Sequence, residues 1–373
     1  MFRFIHTADW QLGRAFDQFE PELAAQLREA RLTVIERIAE AAREHGAAYV
    51  LVAGDVWDTA SPSDRLLRQP MDLMAAAADL TWCLLPGNHD PCEPQGFWDR
   101  LRRQGVPDNV WLLTDSAPVM LSDGVSVLPA PWTSKAPGRD LTAGFSAIDT
   151  GPDALRIGLA HGGTSTFFDQ SPQSAAIDAD RANEAGLDYL ALGDWHGLQQ
   201  IDGRTWYSGT PEPDRFPNNK SGHVLAVTLE RGASPVVTPV RTADYVWTRD
   251  RLDCRDGVDA CAEADAIFDA HGSRRRRLCR LELHGELRLG ERMRLFRHLE
   301  TEAASLAHLR LKRDGLLCLA DPDALDDIDR EGVLRETAAN LVACMEDEAA
   351  LEADRAVARR ALDYLAAFAG EGD

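Results

Sequence analysis

Five short strand-like runs in this chain each break off at residues able to hold a cation, and that recurrence limits the fold more than any other feature. Tyr49-Val50-Leu51-Val52-Ala53 stops at Gly54-Asp55. Residues 2–5 lead into His6-Thr7-Ala8-Asp9-Trp10-Gln11, and residues 80–85 into Pro86-Gly87-Asn88-His89-Asp90. Residues 155–160 end at His161-Gly162-Gly163, and residues 189–192 at Gly193-Asp194-Trp195-His196-Gly197. Runs of this length, bounded by turn residues, read as buried strands. A sheet that gathers such ends sets carboxylates, an amide and imidazoles along its carboxyl edge, where α/β proteins build their sites. By ligand inventory this is a metal site.

The segments between the strands extend the pattern. Residues 21–44 carry Leu23, Leu27, Val34, Ile35 and Ile38 at helical spacing, with His45-Gly46 as the stop. Residues 64–79 read as a second helix. Strand, helix, strand, helix, strand is the order of a parallel α/β layer. Short strands follow over 110–132, a Gly- and Pro-containing loop over 134–153 and a helix over 178–185. Strands return at 204–208, 223–229 and 236–240, so two sheets packed together with helices outside are expected for residues 1–242. Residues 243–323 read as a small α/β capping domain, with strands at 246–254 and 278–283 and helices at 258–270 and 291–307. Residues 324–373 read as a helical C-terminal segment. Its apolar stripe, including Leu341, Leu351, Leu362, Tyr364 and Leu365, either packs on the chain's own second domain or docks on a partner.

Composition sets limits on the partners. The 373 residues are 45% hydrophobic and 27% charged, as in soluble globular proteins of two or three domains. No apolar run approaches the roughly 20 residues that span a bilayer, and the N-terminus runs into a strand with no signal-peptide pattern. Seven scattered cysteines without a CxxC pair point to reduced thiols and the cytoplasm. The formal charge of -21 is awkward for a free-standing nucleic-acid binder, so a DNA substrate would need metals and a partner to help hold it. The one basic run, Arg274 to Arg277, either meets DNA phosphates or is a solvated or acid-facing surface.

Taken in order, the motifs resemble the calcineurin-like metallophosphoesterases: Asp9-Trp10-Gln11, Gly54-Asp55, Gly87-Asn88-His89-Asp90, His161, then Gly193-Asp194-Trp195-His196. The resemblance implies a four-layer α-β-β-α sandwich and a pair of divalent ions, usually Mn²⁺, with Mg²⁺ as the other hard candidate. It implies that Asp9 and His196 hold the first ion, Asp55 bridges, and Asn88 and His161 hold the second, to which our reading adds oxygen from Gln11 at the first ion and from Asp194 at the second. His89 would not bind metal; it would steady the phosphoryl transition state and help protonate the leaving oxygen. Two positions depart from the family pattern. Gln11 and Asp194 stand where the family has histidine, which hardens the ligand set and implies a loose first site and a tight second one. Within the superfamily, His6-Thr7-Ala8-Asp9 and Tyr207-Ser208-Gly209-Thr210-Pro211 are similar to the SbcD-type nucleases. That similarity implies a DNA exonuclease of repair working with an SbcC-like coiled-coil ATPase, with homodimerisation open. A phosphoesterase of nucleotides or other small phosphodiesters, or a catalytically degenerate regulatory subunit, are the alternatives.

Overall fold

Strands that read as unbroken apolar runs do so because both of their faces are covered. In β2 (Tyr49–Val52) Leu51 faces a second sheet, while Val50 and Val52 face a helix. This period-two alternation with two apolar faces marks the middle of a layered fold. A computed structural model describes residues 1–165, 176–216, 219–255, 257–319, 332–347 and 349–370. They form two compact units, Met1–Arg215 with Asn219–Tyr245, and Phe216–Asn218 with Val246–Asp373.

The first unit follows the expected alternation. Its elements are β1 (Phe2–Thr7), α1 (Pro21–Glu44), β2, α2 (Asp64–Ala76), β3 (Thr81–Leu84), α3 (Phe97–Gln104), β4 (Val110–Leu112), β5 (Val119–Ser122) and β6 (Val125–Ala130). There follow β7 (Leu155–His161), α4 (Arg181–Glu184), β8 (Tyr189–Gly193), β9 (Gln199–Gln200), β10 (Thr205–Tyr207), β11 (His223–Leu229) and β12 (Val236–Arg241). One sheet runs β12-β11-β1-β2-β3-β4, with β1 to β4 parallel. The other runs β5-β6-β7-β8-β10-β9, with β6, β7, β8 and β10 parallel. Phe4, Leu51 and Cys83 of the first sheet pack against Val127, Ile157, Leu159 and Ala191 of the second. Val34, Ile35 and Ile38 of α1 cover the outside of the first sheet, and Phe145 and Ala182 that of the second. The result is the four-layer α-β-β-α sandwich. Its parallel strands β1, β2, β3, β7 and β8 deliver their carboxyl ends to one shared site.

Two local readings differ. Helix α3 carries Phe97, Trp98 and Leu101 inward, but eight residues are too few to display a helical period. The helix expected over 178–185 is only the four residues of α4, because Asp180 and Ala185 already leave helical geometry.

The second unit contains β13 (Val246–Cys254), α5 (Ala260–Asp269), β14 (Arg277–Arg288), α6 (Leu289–Ala303), β15 (His308–Leu319), α7 (Val333–Glu346) and α8 (Glu352–Gly370). The three strands are parallel in the order β13-β14-β15, each joined to the next through a helix. Strand β15 went unanticipated, since Arg310, Lys312 and Arg313 dilute its apolar pattern. The helical segment expected as a separate tail belongs to this unit. Ala338 and Leu362 are buried with Leu341, Leu365 and Met293 of α6, so part of the stripe is used at home; Leu351 and Tyr364 are exposed. Residues 320–331 lie outside the described residues. The basic run is partly committed, with Arg275 and Arg276 exposed. Arg274 pairs with Asp265, Asp269 and Glu302, while Arg277 is buried against Asp250, Thr248 and the carbonyls of Ile267 and Phe268. Two of its four arginines are therefore committed to the unit's own frame.

Candidate metal centre

Three of the strand ends, those of β1, β2 and β8, hand over their polar residues through strained turns. Past β1, the Asp9 N–H donates to the Gly54 carbonyl at 3.1 Å and the Gln11 N–H to that of Asp55 at 2.9 Å, which laces the first loop to the second. Seven non-glycine residues among those described have positive φ, and four of them are Asp9 (54°), Gln11 (45°), Asp55 (54°) and Asp194 (100°). Such backbone is disfavoured by about 1–3 kcal/mol per residue and persists only where the surroundings over-determine it. Here they do. A Cβ at Gly87 would overlap the Asp55 carboxylate, and one at Gly193 the carbonyl oxygen of Ala53. Glycine at 87 lets the loop after β3 close on the one after β2, and glycine at 193 lets the two sheets approach close enough to share one pocket.

Asp9, Asp55 and His161 are buried, and each offers a ligand atom within 4.8 Å of the other two. His161 donates Nδ1–H to the Ala53 carbonyl at 2.8 Å, which turns Nε2 inward. There Nε2 lies 2.8 Å from Asn88 Oδ1, 3.3 Å from Asp55 Oδ1 and 3.9 Å from Asp194 Oδ1. Asn88 Oδ1 is in turn 3.2 and 3.3 Å from the two Asp55 oxygens. In this orientation the amide oxygen faces only acceptors; turned over, its NH₂ would donate to them. Asp9 is steadied by the Asp194 N–H, 3.1 and 3.2 Å from its two oxygens.

The remaining predicted residues sit on the rim of this pocket. His196 points Nε2 inward and holds Nδ1 3.0 Å from Asp214 Oδ2. His89 has a side chain 42% exposed, with Nδ1 3.1 Å from Asp58 and Nε2 3.9 Å from Asp55. The Asp58 hydrogen bond raises the His89 pKa against the opposing effect of burial. Gln11 sits differently from the expected oxygen ligand. Its Oε1 accepts from Arg14 at 2.7 Å, and its NH₂ faces Asp55 Oδ2 at 3.4 Å and His196 Nε2 at 3.1 Å. A guanidinium only donates, so the atom beside it must be the oxygen. Asp90 accepts from the backbone of Gly87 and Trp57 and orients its loop. His6 is spent on Tyr189 and the Leu192 carbonyl.

Two members of the centre escaped the reading of the sequence, Asp214 and Arg14. Neither closes an apolar strand. Their only sequence signal is that Asp214 stands in the turn Pro211-Glu212-Pro213-Asp214. A second acidic grouping, Asp265, His298 and Glu302, surrounds Arg274, whose guanidinium already neutralises it.

The sequence model of the calcineurin-like phosphoesterases matches residues 2–228. The chain belongs to this family. The family is one of phosphoester hydrolases that use divalent metal ions. The chain is 30% identical over 94 residues to the D component of the SbcCD nuclease of Staphylococcus saprophyticus, a match covering 24% of this chain and 23% of that protein. It is 24% identical over 296 residues to Bacillus subtilis YhaO, described as an uncharacterized metallophosphoesterase, covering 74% of this chain and 68% of that one. The crystal structure of TT1561 from Thermus thermophilus aligns with a TM-score of 0.41 at 12% identity, over 64% of this chain and 99% of that one.

The phosphoesterase's donor set fits such ions. Ligands at about 2.0–2.1 Å in octahedral geometry stand about 3 Å apart, and the contacts among Asp55, Asn88 and His161 run from 2.8 to 3.3 Å. The charges agree. Burial pushes the Asp9 carboxyl up to about 6, partly countered by His196 and His161. Burial also opposes a charge on His161, yet Asp55, Asp9 and Asp194 lift its imidazole to about 9. Without a cation, a proton on His161 does the neutralising, and metal must displace it. For Asp9 the folded value lies above the ordinary 3.8, so the metal-free protein loses stability as pH climbs from about 4 to about 6. Mn²⁺ should therefore raise the melting temperature more near pH 7.5 than near pH 5. Thermal scans with and without Mn²⁺ check this; equal shifts at both pH values would contradict it.

Proposed function

We propose that the chain hydrolyses phosphodiester bonds in DNA, as a nuclease working with an SbcC-like coiled-coil ATPase. The observation that carries the hydrolytic part is the convergence of Asp9, Asp55, Asn88, His161, Asp194 and His196 on one pocket with His89 at its rim. Those six line the pocket that takes the metal, and oxygen donors with imidazole favour Mn²⁺ or Mg²⁺. Such ions supply Lewis acidity to phosphate oxygens and make a neighbouring water a better nucleophile. The chain's own groups do the rest. Asp58 holds one nitrogen of His89 and favours its protonated form, leaving Nε2–H to face the pocket. As the ester P–O bond breaks, that proton passes to the leaving oxygen. The charged imidazole also faces the negative charge that builds on the phosphoryl group.

The choice of DNA is supported by the similarity to a nuclease component and by Trp195. Trp10 and Trp57 are fully buried, whereas Trp195, between two pocket residues, is 39% exposed. A base beside the scissile phosphate could stack on it; such contacts contribute about 1–3 kcal/mol. Trp195→Ala is accordingly expected to raise KM for DNA about tenfold while kcat on a small chromogenic phosphodiester holds. The formal charge of -21 favours the rival, a phosphoesterase of small phosphodiesters, and on the DNA reading a partner supplies the missing positive surface. Cleavage of a DNA duplex and of the chromogenic ester, compared in Mn²⁺, separates the two. Turnover of the ester alone leaves the rival standing. No turnover of either, with His89→Gln indistinguishable from wild type, leaves a regulatory subunit. We place the activity in the cytoplasm on the seven scattered cysteines; among the described residues no helix is long and apolar enough to cross a membrane.

A further inference from the structure

The two halves of the pocket differ. In the half lined by Asp55, Asn88, His161 and Asp194, the Asn88 amide stands 2.8–3.3 Å from His161 and Asp55, where its NH₂ donates in the metal-free state and its oxygen, turned inward, faces a cation. In the half lined by Asp9, Asp55 and His196, an N–H donor already stands among the acceptors. Gln11 Nε2 lies 3.1 Å from His196 Nε2 and 3.4 Å from Asp55 Oδ2. Its two protons point where a cation's charge would be, and an amide nitrogen has no lone pair to give a metal.

Arg14 holds this arrangement in place. Its guanidinium donates to Gln11 Oε1 at 2.7 Å and lies 3.4 Å from Asp214 and 3.8 Å from Asp58. Those carboxylates orient His196 and His89 respectively, so one cation ties both histidine–carboxylate pairs to the Gln11 amide. Turning the amide over would set NH₂ against guanidinium, donor against donor, and would remove the bond to His196.

We propose that this centre retains a single resident divalent ion, in the half formed by Asp55, Asn88, His161 and Asp194. The Arg14–Gln11 couple occupies the other half with hydrogen-bond donors in place of the second ion. The inference rests on the metal-dependent reading for the presence of a cation, and goes beyond it in the count and in the role of Arg14. Gln11 and Arg14 are positioning residues here: they set the orientation of His196 and the charge of the first half without touching the resident ion.

The test counts ions in the full chain after chelation, reloading with Mn²⁺ and desalting, by elemental analysis and by electron paramagnetic resonance. Wild type should retain one Mn²⁺ per chain with an uncoupled mononuclear signal. Gln11→His should retain two and show spin coupling between them. Arg14→Leu, which frees the amide, should show a second, weaker Mn²⁺-binding event when titrated without desalting, where wild type shows one. Two tightly held, spin-coupled ions in wild type would overturn the proposal and leave the hydrolytic reading intact. No retained ion in wild type would overturn both. A Gln11→His chain that melts as wild type does yet still holds one ion would overturn the role given to Gln11.

Discussion

Replacing His89 with glutamine should lower phosphodiester hydrolysis by about 10²- to 10⁴-fold and leave metal uptake unchanged. His89 is the half-exposed imidazole of the pocket rim, and its ring touches only Asp58 closely, at 3.1 Å. A side chain that touches so little contributes little to folding, so the melting temperature should hold within the shift expected for about 0.5 kcal/mol. On the proposed reading the loss falls on the chemical step, because proton delivery to the leaving oxygen is the role assigned to this residue. Asp58→Asn gives a graded version. Asp58 raises the proton affinity of His89, so without that charge the imidazole deprotonates at lower pH. A general acid works below its pKa, and the alkaline fall of kcat should therefore move to lower pH in Asp58→Asn. Steady-state rates on a chromogenic phosphodiester across pH, for both variants, check this. A His89→Gln enzyme that keeps its rate would remove the proton-donor role.

How far the sequence reaches can be judged from particular residues. Asp55 was legible because a buried strand announces itself by an unbroken apolar run, and the residue closing it must lie at a sheet edge. The same logic placed Asn88, His161 and Asp194, and the structure puts all four within one pocket. Gln11 was legible as a position but not as an orientation. Which end of its amide faces inward depends on Arg14, and Arg14 is placed by the fold of a loop whose Phe16 also has a positive φ of 60°. No periodicity encodes that. The strain at Asp9, Gln11, Asp55 and Asp194 was equally invisible, since aspartate and glutamine do not signal left-handed backbone as glycine does. In the second unit the sheet was half legible. Strands β13 and β14 show apolar alternation, whereas β15 is interrupted by charges that its outer position tolerates. Helix α3 was hidden by its length alone.

Asp214, eighteen positions past His196, should prove the most damaging single substitution outside the pocket. Burial resists its ionisation, but the hydrogen bond from His196, with the charges of His196 and Arg31, holds its carboxyl far below the usual range. It also lies 3.4 Å from Arg14 and 3.1 Å from Arg215. Arg31 is itself buried, bonded to the carbonyls of Trp10 and Glu212, and the lost charge would leave it and Arg14 under-compensated. Breaking a buried charge network by removing one partner costs about 3–5 kcal/mol, a large share of a typical folding free energy of about 5–15 kcal/mol. Asp214→Asn should thus melt roughly 10 °C lower than wild type at neutral pH. The gap has a defined pH window. A carboxyl whose folded pKa is depressed contributes fully above its unfolded value of 3.8 and loses that contribution as pH falls further. The gap between wild type and variant should therefore be constant above about pH 4 and narrow steadily as pH falls below 3.8. Loss of the Nδ1–H acceptor also frees the His196 ring, but the resident ion lies in the other half of the pocket, so its Mn²⁺ affinity should hold near the wild-type value. Melting of both chelated proteins across pH, with Mn²⁺ titrations at neutral pH, reads the two expectations separately. A gap that stays constant into acid would show that lost packing, and not the charge of Asp214, sets the cost.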